Sequence, residues 1–376
     1  MKKIKLCFLI VNCKITGPMN QTLNIIKNID RKKFEICFVT LFDEEKENSM
    51  IDDYKKICNE HYCLHLNKIK SLIYGKYKLK KILKYLSPDI IHSLGMPAYR
   101  MSLIYKSAKK LVTLRNYPYD DYPSYYNKII GPIMAFFDLK LIKNLYKKDK
   151  VFVTCSKNLS DIYKKRQNIN FQYICNGVDI KKYYRVDLDK KNELRKKLNL
   201  PLNKIIFIYT APFNERKNQD FAISAFLESK YKNDGIFILC GNGNKLNELK
   251  EKYYDYKNVV FTGKIKNIPD YLQASDIYLS SSKSEGLPNS VLEAMAIGLP
   301  IILSDIPQHM EFFEISNNIG YYYENGNLSD LVKKINDFDI KKISFMSDNS
   351  YEMIINNFSD TIMGKKYQNL YEKIYK

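Results

Sequence analysis

From its first residues the chain alternates short apolar runs of strand length with longer stretches of helical periodicity. Residues 4–11 are strand-like, 19–29 helical and 34–41 strand-like, and a polar turn then leads to a helical stretch over 49–58. Parallel strands cannot be joined by tight turns and need long crossovers, so this alternation confines the chain to an α/β fold built on parallel sheets. Further strand-like runs fall at 61–66, 89–93, 111–116, 151–156 and 172–176, and a second series opens at 204–210 and includes 274–280. The polar, lysine-rich stretch 181–203, with a short helical candidate at 192–198, separates the two series. A chain of 376 residues exceeds what one hydrophobic core usually serves, so two domains of similar size are expected, with a boundary near residue 180.

No apolar run approaches the roughly 20 residues of a membrane-spanning helix. Residues 1–11 read as a first strand rather than a signal peptide, because the apolar part is short and runs into Asn12, Cys13 and Lys14 without a small-residue cleavage site. The eight cysteines are scattered, several inside strand-like runs, which suits reduced thiols and a cytoplasmic location. Charge is uneven. Residues 1–180 hold 33 Lys+Arg against 16 Asp+Glu, whereas 181–376 hold 28 against 25, so the first part carries +17 of the net +20. A basic domain of this kind suits an anionic partner, either nucleic acid or the anionic face of a membrane. A lysine-rich coding bias is an alternative source of part of the excess.

Two stretches combine lysines with apolar residues. In 67–86, Ile69, Leu72, Ile73, Leu79, Ile82, Leu83 and Leu86 recur at helical spacing among Lys68, Lys70, Lys76, Lys78, Lys80, Lys81 and Lys84. That stretch suits a crossover helix with a solvated lysine face, or a helix resting on a membrane. In the second, a tyrosine-rich run at 117–126 precedes the amphiphilic 129–142, closed by Lys143, Lys147, Lys148 and Lys150. Aromatics and lysines around an apolar patch make this the better membrane contact, with an ordinary buried helix as the alternative.

The chemistry concentrates between residues 284 and 300. A helix begins near Pro288, which suits a first helical position, and ends at Gly298 before Pro300. It is apolar on nearly every side yet carries Glu293 one turn in, and Glu285 stands just ahead of its start. An unpaired buried carboxylate is costly, and the vicinal hydroxyls of a ribose or sugar would supply it with donors. The backbone N–H groups of the stretch Gly286, Leu287, Pro288, Asn289 and Ser290 (Pro288 has none) face outward at the positive end of the helix dipole, where a phosphate is favoured. Diphosphate, ribose and sugar together describe a nucleotide-sugar. The alternative is a core helix whose glutamates cap it or pair with lysines.

The run from Glu285 to Glu293, with Gly286, Leu287 and Pro288 after the first acid, resembles the donor-site signature of the family-4 retaining glycosyltransferases. Other segments follow in that family's order: Asn176-Gly177-Val178-Asp179, the strand and Gly-x-Gly turn of 237–243, the strand of 259–263, and Asp305, Pro307 and Glu311 in 304–311. The resemblance covers essentially the whole chain and is strongest in its second half. It implies a GT-B fold, two Rossmann-like parallel-sheet domains facing a central cleft, with a helix at 351–375 crossing back to the first domain. The domains are then 1–180 with 355–376, on the acceptor side, and 181–354, binding the donor.

The implied activity is metal-independent retaining transfer of a sugar from a nucleotide-diphosphate-sugar, of UDP or GDP type, with no cofactor. The acceptor is expected to be a saccharide on a polyprenyl lipid, in bacterial-type O-antigen (lipopolysaccharide), capsule or exopolysaccharide synthesis. The protein would then sit peripherally on the cytoplasmic face of the inner membrane and bind no nucleic acid.

Stabilising negative charge on the departing diphosphate is the dominant demand of such a reaction. Lys217, beside Asn218, matches the lysine of the family's phosphate-binding pair. The family's upstream arginine would fall near Ala211 or Pro212, so Arg216 is expected to replace it, and Glu285, Arg216 and Lys217 form the expected catalytic set; the alternative is that Arg216 faces solvent and Lys217 acts with the helix terminus alone. Gly17, between the first strand and first helix, is a partial match to a donor-approach glycine, since Pro18 removes one N–H. His92, at the expected end of a strand, with Arg115 and Asn116, is assigned to the acceptor side, with a satisfied strand-end histidine as the alternative for His92. The family's histidine would fall at Leu94. No Asp-x-Asp follows a strand in the first half, so no metal is expected at the site. Cys58, His61, Cys63 and His65 do cluster, but without the paired spacing of zinc sites.

Two other classes compete. A nucleotide-sugar epimerase shares the architecture but has no need of a basic, amphiphilic first domain. A nucleic-acid-binding protein would use the basic patch, though no recognised binding motif accompanies it.

Overall fold

The computed structural model describes residues 2–45, 48–66, 74–147 and 151–376. The chain divides into two compact units, residues 1–177 with 360–376, and residues 178–359. The returning segment thus begins at Asp360 and not at the expected 355. Residues Ile354–Phe358 instead close the preceding helix with a π-helical turn, and Ser359 is extended (φ −69°, ψ 149°) before the helix Asp360–Tyr375 begins.

Among the described residues, the first unit holds β1 (Ile4–Ile10), β2 (Phe34–Phe42), β3 (Glu60–Leu66), β4 (Ile90–Leu94), β5 (Lys109–Leu114), β6 (Val151–Thr154) and β7 (Gln172–Tyr173). They form one sheet in the order β3-β2-β1-β4-β5-β6-β7, parallel throughout. Its strands read as continuous apolar runs because helices cover both faces. One core lies against the helices Gly17–Lys27 and Asp360–Tyr375 (Leu6, Phe8, Ile10, Leu23, Ile26, Tyr367, Tyr371). A second is formed by Cys7, Leu9, Val39, Leu79, Leu83 and Ile91, and a third by Tyr99, Val112, Leu139, Ile142, Phe152 and Tyr163.

The helix Gly75–Leu86 buries Leu79, Leu83 and Leu86 and leaves Lys76, Lys78, Lys80, Lys81 and Lys84 exposed, the crossover alternative. Residues 67–73 of that basic stretch, and Lys148 and Lys150 of the other, lie outside the described residues. No described helix is long and apolar enough to cross a membrane.

The second unit holds β8 (Ile205–Thr210), β9 (Gly235–Cys240), β10 (Val259–Gly263), β11 (Ile277–Ser280), β12 (Ile301–Ser304) and β13 (Gly320–Tyr323), in the order β10-β9-β8-β11-β12-β13. β11 begins at Ile277 rather than 274, because Ala274 still belongs to the helix Ile268–Ala274 and Ser275 caps it. The sequence's short helix candidate at 192–198 is part of a longer helix, Leu188–Lys197, whose N-cap Asp187 accepts from Lys190 N at 2.8 Å. In each sheet the sequence order runs outward in both directions from a central pair, β1/β4 and β8/β11. Ligands of open α/β sheets bind outside the carboxyl ends of the strands at such a reversal.

Candidate functional site

β8 and β11 end at Thr210 and Ser280, and the loops that leave them, 211–218 and 281–288, carry the charged residues singled out from the sequence. The loops are tied together. Lys283 N donates to Arg216 O at 2.8 Å, Ser281 Oγ to Asn218 O at 2.7 Å, and Tyr209 OH to Lys217 O at 2.9 Å. Gly241 and Gly243, at the end of β9, permit this loop to lie close. A Cβ at either would come 2.0 Å from Ala211 O or 2.2 Å from Phe213 O.

Glu285 is the centre of the constellation. Its Oε2 meets Arg216 Nη1 at 2.8 Å and its Oε1 bonds Lys217 Nζ, while Arg216 Nη1 also donates to Ser284 O at 2.6 Å. The Glu285 and Lys217 side chains are nearly buried, and that of Arg216 is 46% exposed. Burial alone would raise the Glu285 pKa. The neighbouring Lys217 and Arg216 charges, with hydrogen bonds from Lys217 and Ser282, outweigh it and hold the carboxyl at about 2. Lys217 is lowered from the ordinary amine range, first by its own burial and then by Arg216, against the pull of Glu285.

The helix is Asn289–Ala296, and Pro288 is its N-cap (φ −75°, ψ 99°) rather than its first helical residue. Its extended ψ puts it outside the helix, while its carbonyl accepts the first helical bonds, from Val291 N at 3.1 Å and Leu292 N at 3.2 Å. Gly286, Asn289 and Ser290 are half-buried, Leu287 and Pro288 buried, and Ser290 Oγ is bonded to Tyr278 OH at 2.9 Å. At the other end Gly298 adopts φ +85°, the left-handed turn that closes the helix.

Glu293 is half-buried, and burial raises its pKa to about 7 against the opposing effects of Lys182 and a hydrogen bond with Tyr183. Tyr183 was not singled out from the sequence, where it falls in the stretch read as a polar link. A second unassigned residue is His309. It is fully buried, with Nδ1 3.0 Å from Ser304 O and Nε2 without a partner. Burial keeps its pKa near 4, the Glu285 charge opposing and the Lys217 charge adding to that shift. Ser304 Oγ donates to Ser282 O at 2.6 Å, so His309 belongs to the hydrogen-bonded layer under Glu285.

The first unit requires corrections. His92 lies inside β4, two residues before its end, and is fully buried. Its Nδ1 is 2.8 Å from Tyr371 OH and its Nε2 2.8 Å from Thr113 Oγ1, and burial, with Arg115, lowers its pKa to about 3. Neither nitrogen is available to an acceptor; His92 fastens the C-terminal helix to the sheet. Arg115 and Asn116 do stand past the carboxyl end of β5, where Arg115 Nη1 bonds Asn176 Oδ1 at 2.7 Å and Asn116 is exposed. Gly17 is the first residue of its helix rather than part of a loop, and its φ is not positive.

The Cys58–His65 cluster divides, leaving Cys63 and His65 together with Asp43, their ligand atoms within 4.8 Å of one another. His61 stacks on Phe38 (4.3 Å) with its Nε2 3.2 Å from Thr40 Oγ1, while His65, at φ +53°, pairs with Asp43 at 2.5 Å beside Cys63.

Comparison with known proteins accords with this geometry. The family described as glycosyl transferases group 1 matches residues 190–357. The O-antigen biosynthesis glycosyltransferase WclY of Escherichia coli is 26% identical over 391 aligned positions, covering 99% of both chains. The UDP-Gal:alpha-D-GlcNAc-diphosphoundecaprenol alpha-1,3-galactosyltransferase of the same organism is 24% identical, covering 98% of this chain and 97% of its own. The crystal structure of Anabaena HepE in complex with UDP and glucose superposes with a TM-score of 0.79 at 18% identity, over 98% of this chain and 100% of that one.

Proposed function

We propose that the chain is a group 1 glycosyltransferase of GT-B fold and that it transfers a sugar from a nucleotide-diphosphate-sugar, with retention, onto a polyprenyl-linked saccharide in surface-polysaccharide synthesis. The observation that carries the donor site is the Glu285–Lys217–Arg216 constellation at the strand-order reversal of the second sheet.

Departure of the donor's diphosphate carries the electron pair of the anomeric bond onto a phosphate oxygen. Lys217, Arg216 and the first turn of the helix Asn289–Ala296 then stabilise that charge. Glu285 holds both cations in place and keeps Lys217 protonated in a buried setting. Glu293 accepts from the vicinal hydroxyls of the donor. This division of labour uses no metal ion, because guanidinium, ammonium and helix dipole supply the positive charge.

A uridine donor and an undecaprenyl-diphosphate acceptor are supported by the similar Escherichia coli galactosyltransferase, whose name specifies both. Arg115 and Asn116 are the polar groups the first unit offers to an acceptor. An acceptor held by a membrane lipid requires the enzyme to work at the membrane surface, as a peripheral protein on its cytoplasmic face.

The test is calorimetric titration with UDP-, GDP-, ADP- and CMP-sugars, with and without EDTA, followed by turnover on a lipid-linked acceptor. One sugar nucleotide should bind, EDTA should not abolish binding, and Glu293→Ala should weaken it. Absence of binding across the panel, or a Glu293→Ala variant that turns over like the parent, would falsify the donor site. Steep salt-dependent RNA binding unaffected by sugar nucleotides would favour the nucleic-acid alternative.

A further inference from the structure

The helix Ile130–Tyr146 lies on the first unit with one side packed and the other bare. Gly131, Ala135, Asp138, Leu139 and Ile142 face inward. The buried Asp138 is the bolt: it is paired with Arg100 and accepts from Tyr122 OH at 2.6 Å, and Gly131 sits so close to the preceding helix that a Cβ would meet Pro123 N at 2.6 Å. The helix is therefore held in one rotational setting.

The outward stripe changes character along its length. Its first half is apolar: Ile130, Ile133 (53% exposed), Phe136 (54%) and Phe137 (59%), with Ile129 (76%) just ahead of the helix. At 100° per residue, Lys140, Lys143 and Lys147 continue the same stripe, and all three are exposed. A contiguous exposed apolar patch on a soluble fold marks an interaction surface.

The geometry points to this stripe as the seat of an anionic lipid bilayer, entered obliquely, with the Ile129–Phe137 end among the acyl chains and Lys140, Lys143 and Lys147 at the phosphates. This deepens the reading above, on which it rests for the reason the enzyme needs a membrane. Charge complementarity selects the bilayer over a second copy of the chain. A copy laid antiparallel would press lysines onto Ile133 and Phe137, and a parallel one would oppose lysine to lysine, both unfavourable. A bilayer offers apolar and anionic layers in the order in which the stripe presents them. The helix is about 25 Å long, so a modest tilt suffices to bury one half and leave the other at the headgroups.

The chain contains no tryptophan, which makes single-tryptophan variants background-free depth probes. Phe137→Trp and Asn144→Trp, on the same stripe, would be bound to vesicles of phosphatidylglycerol and phosphatidylcholine carrying bromines at shallow or deep acyl positions. Phe137→Trp should be quenched best by the deep bromines and Asn144→Trp by the shallow ones. Equal depth overturns the oblique entry, and absence of quenching in both overturns the surface.

In sedimentation with the same vesicles, Phe136→Ser/Phe137→Ser should lose on the order of tenfold in partitioning. The triple change of Lys140, Lys143 and Lys147 to Ala should lose on the order of tenfold on anionic vesicles and nothing on neutral ones. Both variants should keep the parent's circular dichroism and donor affinity. A Phe136→Ser/Phe137→Ser variant that partitions like the parent overturns the proposal, as does a parent dimer that this variant dissociates while vesicles go unbound. Vesicle binding without sugar-nucleotide binding would sink the glycosyltransferase reading and leave the surface standing.

Discussion

His92 and Glu285 stand beside the same topological feature in the two units, the reversal of strand order, and meet opposite fates. In the first unit the imidazole is closed in, each nitrogen 2.8 Å from a hydroxyl of the protein's own, one of them on the C-terminal helix. In the second, the carboxylate holds two cations, one of them half in solvent, at the start of a helix. A completed polar network specifies a fold, whereas charges gathered near a surface and paired chiefly with one another are ready to exchange one of them for a ligand. The same sheet order thus serves fastening in one unit and binding in the other.

Removing Lys217 tests that contrast most severely. Lys217→Ala leaves Glu285 nearly buried and short of its main counter-charge, so turnover should fall on the order of a thousandfold and stability by about 3 kcal/mol. Adding Glu285→Gln removes the stranded charge and should restore much of the stability in urea melts but none of the turnover. Recovery of activity in the double variant would show that the pair is structural, like His92.

The converse experiment is His92→Leu. Two buried hydroxyls, Tyr371 OH and Thr113 Oγ1, lose a partner, and the urea midpoint should fall by the equivalent of about 2 kcal/mol with the donor KM unchanged. The pH dependence adds a second reading. The folded pKa near 3 lies below the unfolded value of about 6.5, so the unfolded state takes the proton first. The contribution of His92 is therefore complete above about pH 6.5 and lost as pH falls toward 3. In His92→Leu the acid limb of the stability curve should flatten across that window. A changed acceptor KM at unchanged stability would return His92 to the acceptor side.

What could be read from the sequence follows the range of the interactions. Strands announced themselves through local apolar runs, Glu285 and Glu293 through their places around one helix start, and Lys217 through its likeness to a family motif. His92 looked like a strand-end candidate because its partner Tyr371 is 279 residues away, and nothing local reveals a helix that returns to the first sheet. Pro288 was misplaced by one position because its φ suits the N-cap and the first helical turn alike; only ψ separates them. Tyr183 escaped notice because a polar, lysine-rich surrounding hides one buried tyrosine.

Arg216→Ala sharpens the comparison inside the second unit. Arg216 is half in solvent and its loss leaves Glu285 paired with Lys217, so its ion pair contributes about 1 kcal/mol or less to stability and melts should hardly move. Turnover should nevertheless drop about tenfold, the signature of a cation that meets charge on the departing phosphate. Unchanged turnover would leave Lys217 and the helix terminus alone in that role.

The smallest effect concerns Glu293, whose titration runs opposite to that of Glu285. Burial lifts its folded pKa to about 7, above the ordinary carboxyl value, so the folded state holds the proton longer than the unfolded one. Its stabilising contribution is present in acid, below about pH 4.5, and is lost as pH rises through 7. Tyr183 pulls that pKa down by donating to the carboxylate. Tyr183→Phe should therefore move the decline to higher pH and cost about 1 kcal/mol at pH 8, where the carboxylate has lost its donor. A bound sugar nucleotide, by supplying hydroxyls, should reverse the shift, which a Glu293 carboxyl carbon titrated by NMR with and without donor would show. If donor leaves that titration unmoved, Glu293 is as closed to ligands as His92, and the contrast between the two sheet edges narrows to Glu285 and its cations.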